Sequence, residues 1–198
     1  MEEKKGLSKY FWLLVIFIFI LLVGFVIFAF IMNSRIKPDV VEKTKNGGDI
    51  QLNYSSSKNV FTLTDINPIT DDAGIKLFEE GKYYDFSVSY NIKDASKFEY
   101  EIYLKKDSKL STISDDDIRI YLEKESSGSY NSVLKPTKFI PLKQDSKLGT
   151  KKGNMIIVKD NVSSTGKKNY RLRMWLSNTS MMVIGNYSVE VNIKAVAK

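Results

Sequence analysis

The hydropathy pattern is dominated by one run, Phe11 to Met32, in which 22 consecutive positions are uncharged and overwhelmingly apolar (FWLLVIFIFILLVGFVIFAFIM). As a helix it would rise about 33 Å, enough to cross a hydrocarbon core of about 30 Å. The pattern predicts a transmembrane helix over residues 11–32, after a short tail over 1–10. A secretory signal core is usually only about 7 to 15 residues long and ends at small residues. Here the run ends Phe30-Ile31-Met32-Asn33-Ser34-Arg35, without such a site and with no cysteine behind it. The expectation is an uncleaved signal anchor. Gly24 has Phe28 four residues on, so no small-residue packing stripe is present. No ionisable residue lies within the run to suggest a conduction path.

Residues 33–49 (NSRIKPDVVEKTKNGGD) read as a linker, because Pro38 and Gly47-Gly48 interrupt regular structure. From Ile50 the period becomes two. Ile50, Leu52 and Tyr54 alternate with polar residues, and Val60 to Thr64 is β-branched and aromatic. Tyr84 to Tyr90, Phe98 to Leu104, Ile118 to Leu122, Tyr170 to Leu176 and Tyr187 to Ile193 alternate in the same way. Lys138 to Leu142 and Asn154 to Val158 are shorter candidates. Alternation puts one face on a core and the other in water. About nine such strands, separated by turn residues, predict a mainly β domain over 50–198. Its expected architecture is an antiparallel β-sandwich, jelly-roll or Ig-like. The one helical candidate is Asp71 to Glu80, capped by Asp71 or Asp72, with Ile75, Leu77 and Phe78 turned inward.

The chain has no cysteine and no histidine. That removes disulfides, thiol nucleophiles, the usual zinc and haem sites and every histidine-based acid–base mechanism. A domain of this size buries about 68–70% of its unfolded surface, so it needs no disulfides to fold. Asn53, Asn161, Asn178 and Asn186 begin Asn-x-Ser/Thr triplets, which in an Asn- and Ser-rich chain are expected by chance. Net charge is +7. It is unevenly divided: residues 50–125 balance at −5 and residues 126–198 at +10. Lys4, Lys5 and Lys9 before the run nearly match Arg35, Lys37, Lys43 and Lys45 after it, so flanking charge alone does not orient the span. The short N-terminal tail and the cysteine-free β domain place the N-terminus in the cytoplasm and the large domain outside.

Four candidate sites follow. Asp115-Asp116-Asp117, with Asp71-Asp72, offers oxygen ligands for calcium, but the spacing of a calcium loop is absent and turn chemistry is favoured. Ser55-x-x-Lys58 and Ser164-x-x-Lys167 fit a Ser/Lys hydrolase pattern without its companion motifs. In Tyr170-Arg171-Leu172-Arg173-Met174-Trp175-Leu176 the even positions should face the core. Arg171, Arg173 and Trp175 should then share the outer face, either as an adhesive patch or as cover for the sheet. Finally, Lys135, Lys138, Lys143, Lys147, Lys151, Lys152, Lys159, Lys167 and Lys168 form the densest basic stretch, suited to a polyanion or to the acidic half of a like domain.

Four passages, TLTDINPITDDAG, YDFSVSYN, FEYEIYL and NYRLRMWLS, resemble uncharacterised single-pass surface proteins of low-GC Gram-positive bacteria. More distantly the pattern from Val60 to Lys194 is similar to the camelysin/TasA-type matrix proteins. That resemblance implies a sandwich domain acting in a surface layer or fibre, although TasA-type leaders are removed and this anchor reads as retained. No site residue is carried over. The expectation is a membrane-anchored surface protein with a structural, adhesive or self-assembly role and the bilayer as partner through 11–32. The alternative is a binding module for an anionic cell-wall polymer, and a Ser/Lys hydrolase is the third choice. No enzyme activity, metal, cofactor or nucleic-acid partner is expected.

Overall fold

The period-two segments become strands in two antiparallel sheets. The computed structural model describes residues 11–24, 40–43, 48–54, 59–64, 67–79, 82–92, 97–180 and 185–197. Residues 38–198 form one compact unit, distinct from residues 1–37. In the latter, residues 11–24 are helical (α1), with every position exposed. Among the described residues no helix is long and apolar enough to cross a membrane. The predicted span continues through residues 25–32, which lie outside the described residues, as do the tail 1–10 and most of the stretch read as linker.

The strands are β1 (Val40–Lys43), β2 (Gly48–Tyr54), β3 (Val60–Thr64), β4 (Tyr83–Ile92), β5 (Phe98–Lys106), β6 (Ile118–Ser126), β7 (Ser129–Thr137), β8 (Met155–Val162), β9 (Gly166–Leu176) and β10 (Asn186–Ala197). One sheet has six strands, ordered β1-β2-β4-β9-β6-β7, and the other four, ordered β3-β10-β5-β8. Every pairing is antiparallel. Of the connections between consecutive strands, β1–β2 and β6–β7 stay within one sheet and the rest cross from sheet to sheet. The β6–β7 turn is tight, with Ser127 and Gly128 both at positive φ, a conformation that glycine adopts freely.

Both sheets feed one core. Leu52, Val88, Leu172, Met174 and Ile120 come from the six-stranded sheet, and Tyr100, Ile102, Leu104, Val189 and Val191 from the four-stranded one. Each fully buried aliphatic side chain contributes about 1.5–3 kcal/mol, so the alternation is itself the dominant stabilising term. Stacked rings extend the core, with Phe86 on Tyr170 at 5.3 Å and Phe61 on Tyr84 at 5.7 Å.

Four expectations change. β1 begins inside the stretch read as linker: Val40-Val41 is β-branched but too short to display a period. β7 was not anticipated, because an edge strand exposed on most of its length has little apolar alternation, and it carries Pro136. Lys138 to Leu142 is not a strand. The helical candidate shrinks to α2 (Asp71–Gly74), capped by Thr70 rather than by either aspartate, with Thr70 Oγ1 accepting from the Ala73 N–H at 3.3 Å. Its buried residue is Gly74, whereas Phe78 is exposed.

Candidate functional site

Alternation along β9 puts Arg171, Arg173 and Trp175 on the outer face of the six-stranded sheet, as expected, but that face is covered. Arg173 and Trp175 have no exposed surface. Residues 69–79 lie across them. Ile69 N–H donates to the Leu176 carbonyl at 3.0 Å, and Trp175 Nε1 donates to Asp71 Oδ1 at 3.2 Å. Arg173 Nε donates to the Leu77 carbonyl at 2.7 Å, its Nη1 pairs with Glu123, and Phe78 caps its guanidinium at 4.9 Å. Buried charge persists only when paired, and here the Glu123 carboxylate of β6, the Leu77 carbonyl and the Phe78 ring are the partners, with Nη2 left without a hydrogen bond among the described residues. Arg171 is half-buried. It forms a bidentate pair with its cross-strand neighbour Asp85, both contacts at 2.7 Å, and lies between the rings of Tyr83 and Tyr130 at 4.2 and 4.5 Å. Its hydrogen bonds to the Asp85 carboxylate raise its pKa above the ordinary arginine value. Arg173 and Trp175 therefore fasten the β3–β4 connection to the sheet rather than forming an exposed patch, while Arg171 ties β9 to β4 and packs against Tyr130 of β7.

The lysine stretch divides into separate groups. Lys138 pairs with Asp116 at 2.6 Å and Lys151 with Asp145 at 2.8 Å. Lys168 turns inward to Asp160 at 2.6 Å. Lys159 reaches the buried Glu101 at 3.3 Å. Lys135, Lys143, Lys147, Lys152 and Lys167 are exposed, with no side-chain ion pair among the described residues. The aspartate run is likewise consumed locally. Asp115 accepts from Lys106 and Tyr187, and Asp117 from Ser180 Oγ at 2.7 Å. Among the described residues no group of three acidic side chains could hold a metal. Ser164 and Lys167 are exposed and not hydrogen-bonded to one another, while Ser55 and Lys58 lie outside the described residues.

The concave feature lies where the two sheets end. β7 and β8 are edge strands of different sheets, and between them runs a groove of about 710 Å³. Leu134 and Pro136 form its β7 wall, Met155 and Ile157 its β8 wall, and Lys135 and Lys159 its rim. One end is closed by the loop after β7. There Phe139 packs edge-on to Tyr187, the Ile140 N–H approaches Met155 Sδ at 3.4 Å, and Leu142 N–H donates to the Asn154 carbonyl at 2.8 Å. A polar recess of about 290 Å³, lined by Lys124, Asp160 and Tyr170, shares Ile157, Val158 and Lys159 with the groove.

Two buried networks fix the β8 side. Glu101 accepts from Ser146 Oγ at 2.6 Å while Ser146 Oγ accepts the Thr150 N–H at 2.9 Å, which holds the 138–154 loop and leaves Glu101 to orient Lys159. Tyr100 OH donates to Asp160 Oδ2 at 3.2 Å and lies 3.1 Å from Tyr170 OH. Burial pushes Tyr170 up to about 12 and Tyr100 further still, so both phenols stay neutral and act as hydrogen-bond groups rather than bases. Burial also pushes Asp160 upward, but hydrogen bonds from Lys168 and the Asn161 N–H, with the Lys168 charge, outweigh it and hold the carboxyl below its usual range.

The groove was missed in the sequence because its walls come from β7, which shows little alternation, and from a bulge in β8 beside Ile157. The one available signal was Met155-Ile156-Ile157-Val158, four consecutive apolar residues in an otherwise alternating region. The chain matches no protein-family model and no curated protein.

Two outcomes follow. A methyl group at Gly74 would overlap the Trp175 indole. Gly74→Ala should therefore destabilise the domain by about 1–3 kcal/mol, despite alanine's better helix propensity. Urea titration of a fragment beginning at Pro38, in which Trp175 is the sole tryptophan, measures this through its emission. Asp160 has a lowered folded pKa, so its contribution is present above the unfolded value near about 4 and is lost as pH falls through the folded one. Asp160→Asn should cost about 1–2 kcal/mol at pH 7, a difference from wild type that shrinks in acid denaturation series below pH about 4.

Proposed function

We propose that this chain is a membrane-anchored surface protein whose sandwich, jelly-roll or Ig-like, works by contact with other envelope polypeptides rather than by turnover. Residues 11–32 serve as the uncleaved anchor, with the N-terminus in the cytoplasm and the 50–198 domain outside. Support for the anchor comes from the uninterrupted run of apolar positions and from α1, which is apolar on every side and exposed along its whole described length. A helix of that character requires lipid or protein to cover it. The resemblance to low-GC Gram-positive surface proteins agrees with this placement.

The observation that carries the contact role is the β7/β8 groove. Two strand edges, an apolar floor and a lysine rim are the parts of a polypeptide docking surface. The absence of histidine and cysteine from the sequence removes the commonest catalytic groups that a pocket of this size would need. A second reading, binding of an anionic wall polymer, is favoured by Lys143, Lys147 and Lys152 on the loop between β7 and β8, which are exposed and have no ion pair among the described residues.

Protease shaving of intact cells carrying a tag after Lys198 tests the placement. The tag should be lost while an uncleaved N-terminal segment stays with the membrane; a protected tag, or a mature chain lacking its first segment through residue 32, contradicts it. For the polymer reading, reversing Lys143, Lys147 and Lys152 to glutamate should release the domain from purified cell walls, and unchanged retention contradicts it.

A further inference from the structure

The groove has two candidate edges, and they are not equivalent. β7 is blunted. Pro136 has no N–H to offer, Lys135 sits beside it, and two register shifts against β6 break its regularity. Proline, lysine and bulges are the devices by which edges refuse a neighbour. β8 has one bulge, no proline and the sequence Met155-Ile156-Ile157-Val158-Lys159 along the groove. Among the described residues its one strand neighbour is β5. A strand laid against it would run for five residues, about 17 Å at 3.3–3.4 Å per residue, with alternate side chains entering the apolar floor.

Strand number decides what kind of strand fits. The facing sheets have six and four strands. If β8 paired with the β3 edge of a second folded copy, the six-stranded sheets of the two copies would overlap by two strand widths, about 10 Å. A copy docked through its β3 edge is therefore too broad, whereas a single extended segment is not. Charge selects its character. Lys124 and Lys135 carry no ion pair among the described residues, and Lys159 is largely exposed although it touches Glu101. Lysines at such an edge repel a basic strand and admit an acidic one.

We infer that the β8 edge is a β-augmentation site for an extended segment of a partner polypeptide in which apolar residues alternate with carboxylates. Backbone pairing to β8 supplies the affinity, the floor between Met155 and Leu134 selects the apolar positions, and the lysines select the acidic ones. This rests on the contact role proposed above and names its partner chemistry.

The probes are three short capped peptides: alternating valine and glutamate, alternating valine and lysine, and the first peptide N-methylated at alternate amides. Residues 38–198 form a unit with its own core, so the isolated domain can be used. Calorimetry and amide hydrogen exchange should show that the valine–glutamate peptide binds and protects amides between Ile156 and Lys159. The other two peptides should not bind. Lys135→Glu, at an exposed position, should weaken binding about tenfold, the scale of one close charge pair, and added salt should weaken it further. Equal binding of the lysine peptide, undiminished binding after N-methylation, protection centred on β3 or β7, or a domain dimer that protects β8 in the peptide's place would each overturn the inference. Because sidedness plays no part in this measurement, its failure leaves the surface placement standing, and a misplaced domain leaves the binding result standing.

Discussion

A six-stranded sheet cannot be fully covered by a four-stranded one. That mismatch in width is the constraint on which the rest of this domain depends. The alternation of β2, β4, β6 and β9 against β5 and β10 closes a core over the shared width. Where the sheets end, apolar residues face a gap. At β7 and β8 this gap is a lysine-rimmed groove, which no side chain among the described residues fills. Polar networks at Glu101 and Asp160 hold the groove open from the β8 side. They fix the edge strand without occupying its outer face.

The centre of the wide sheet shows the opposite solution. β9 is buried on both faces toward its C-terminal end. Leu172, Met174 and Leu176 enter the core, while Arg173 and Trp175 are covered by the β3–β4 connection. The cover depends on Gly74, whose missing side chain lets the backbone approach the indole. Arg173 is anchored by Glu123 from β6 and by the Leu77 carbonyl, so the connection is tied through a charge as well as an aromatic ring. The most distinctive stretch of the sequence therefore belongs to architecture, and the recognition role proposed for this domain falls on a plainer edge strand.

The sequence and the structure agree where burial is one-sided. Strands such as Tyr84 to Tyr90 and Phe98 to Leu104 show their inward face at every second residue, and the structure buries those residues. Legibility falls at the edges and in the connections. β7 is exposed on much of both faces, so no period marks it, and β1 is too short to have one. The covering of Arg173 and Trp175 could not be read locally, because the residues that cover them lie about a hundred positions earlier in the chain. The lysines looked like one basic patch in the sequence. In space four of them hold acidic partners, so the charge free to meet a ligand is smaller and more localised than the count implied.

The central claim is that the β8 edge is vacant in the isolated domain and occupied where the protein works. Amide hydrogen exchange, followed at Ile156 to Lys159 in the purified domain and in the full chain within its own membranes, tests it most directly. The account predicts rapid exchange in the first state and marked protection, confined to β8 and the groove floor, in the second. Identical exchange in both states would contradict it.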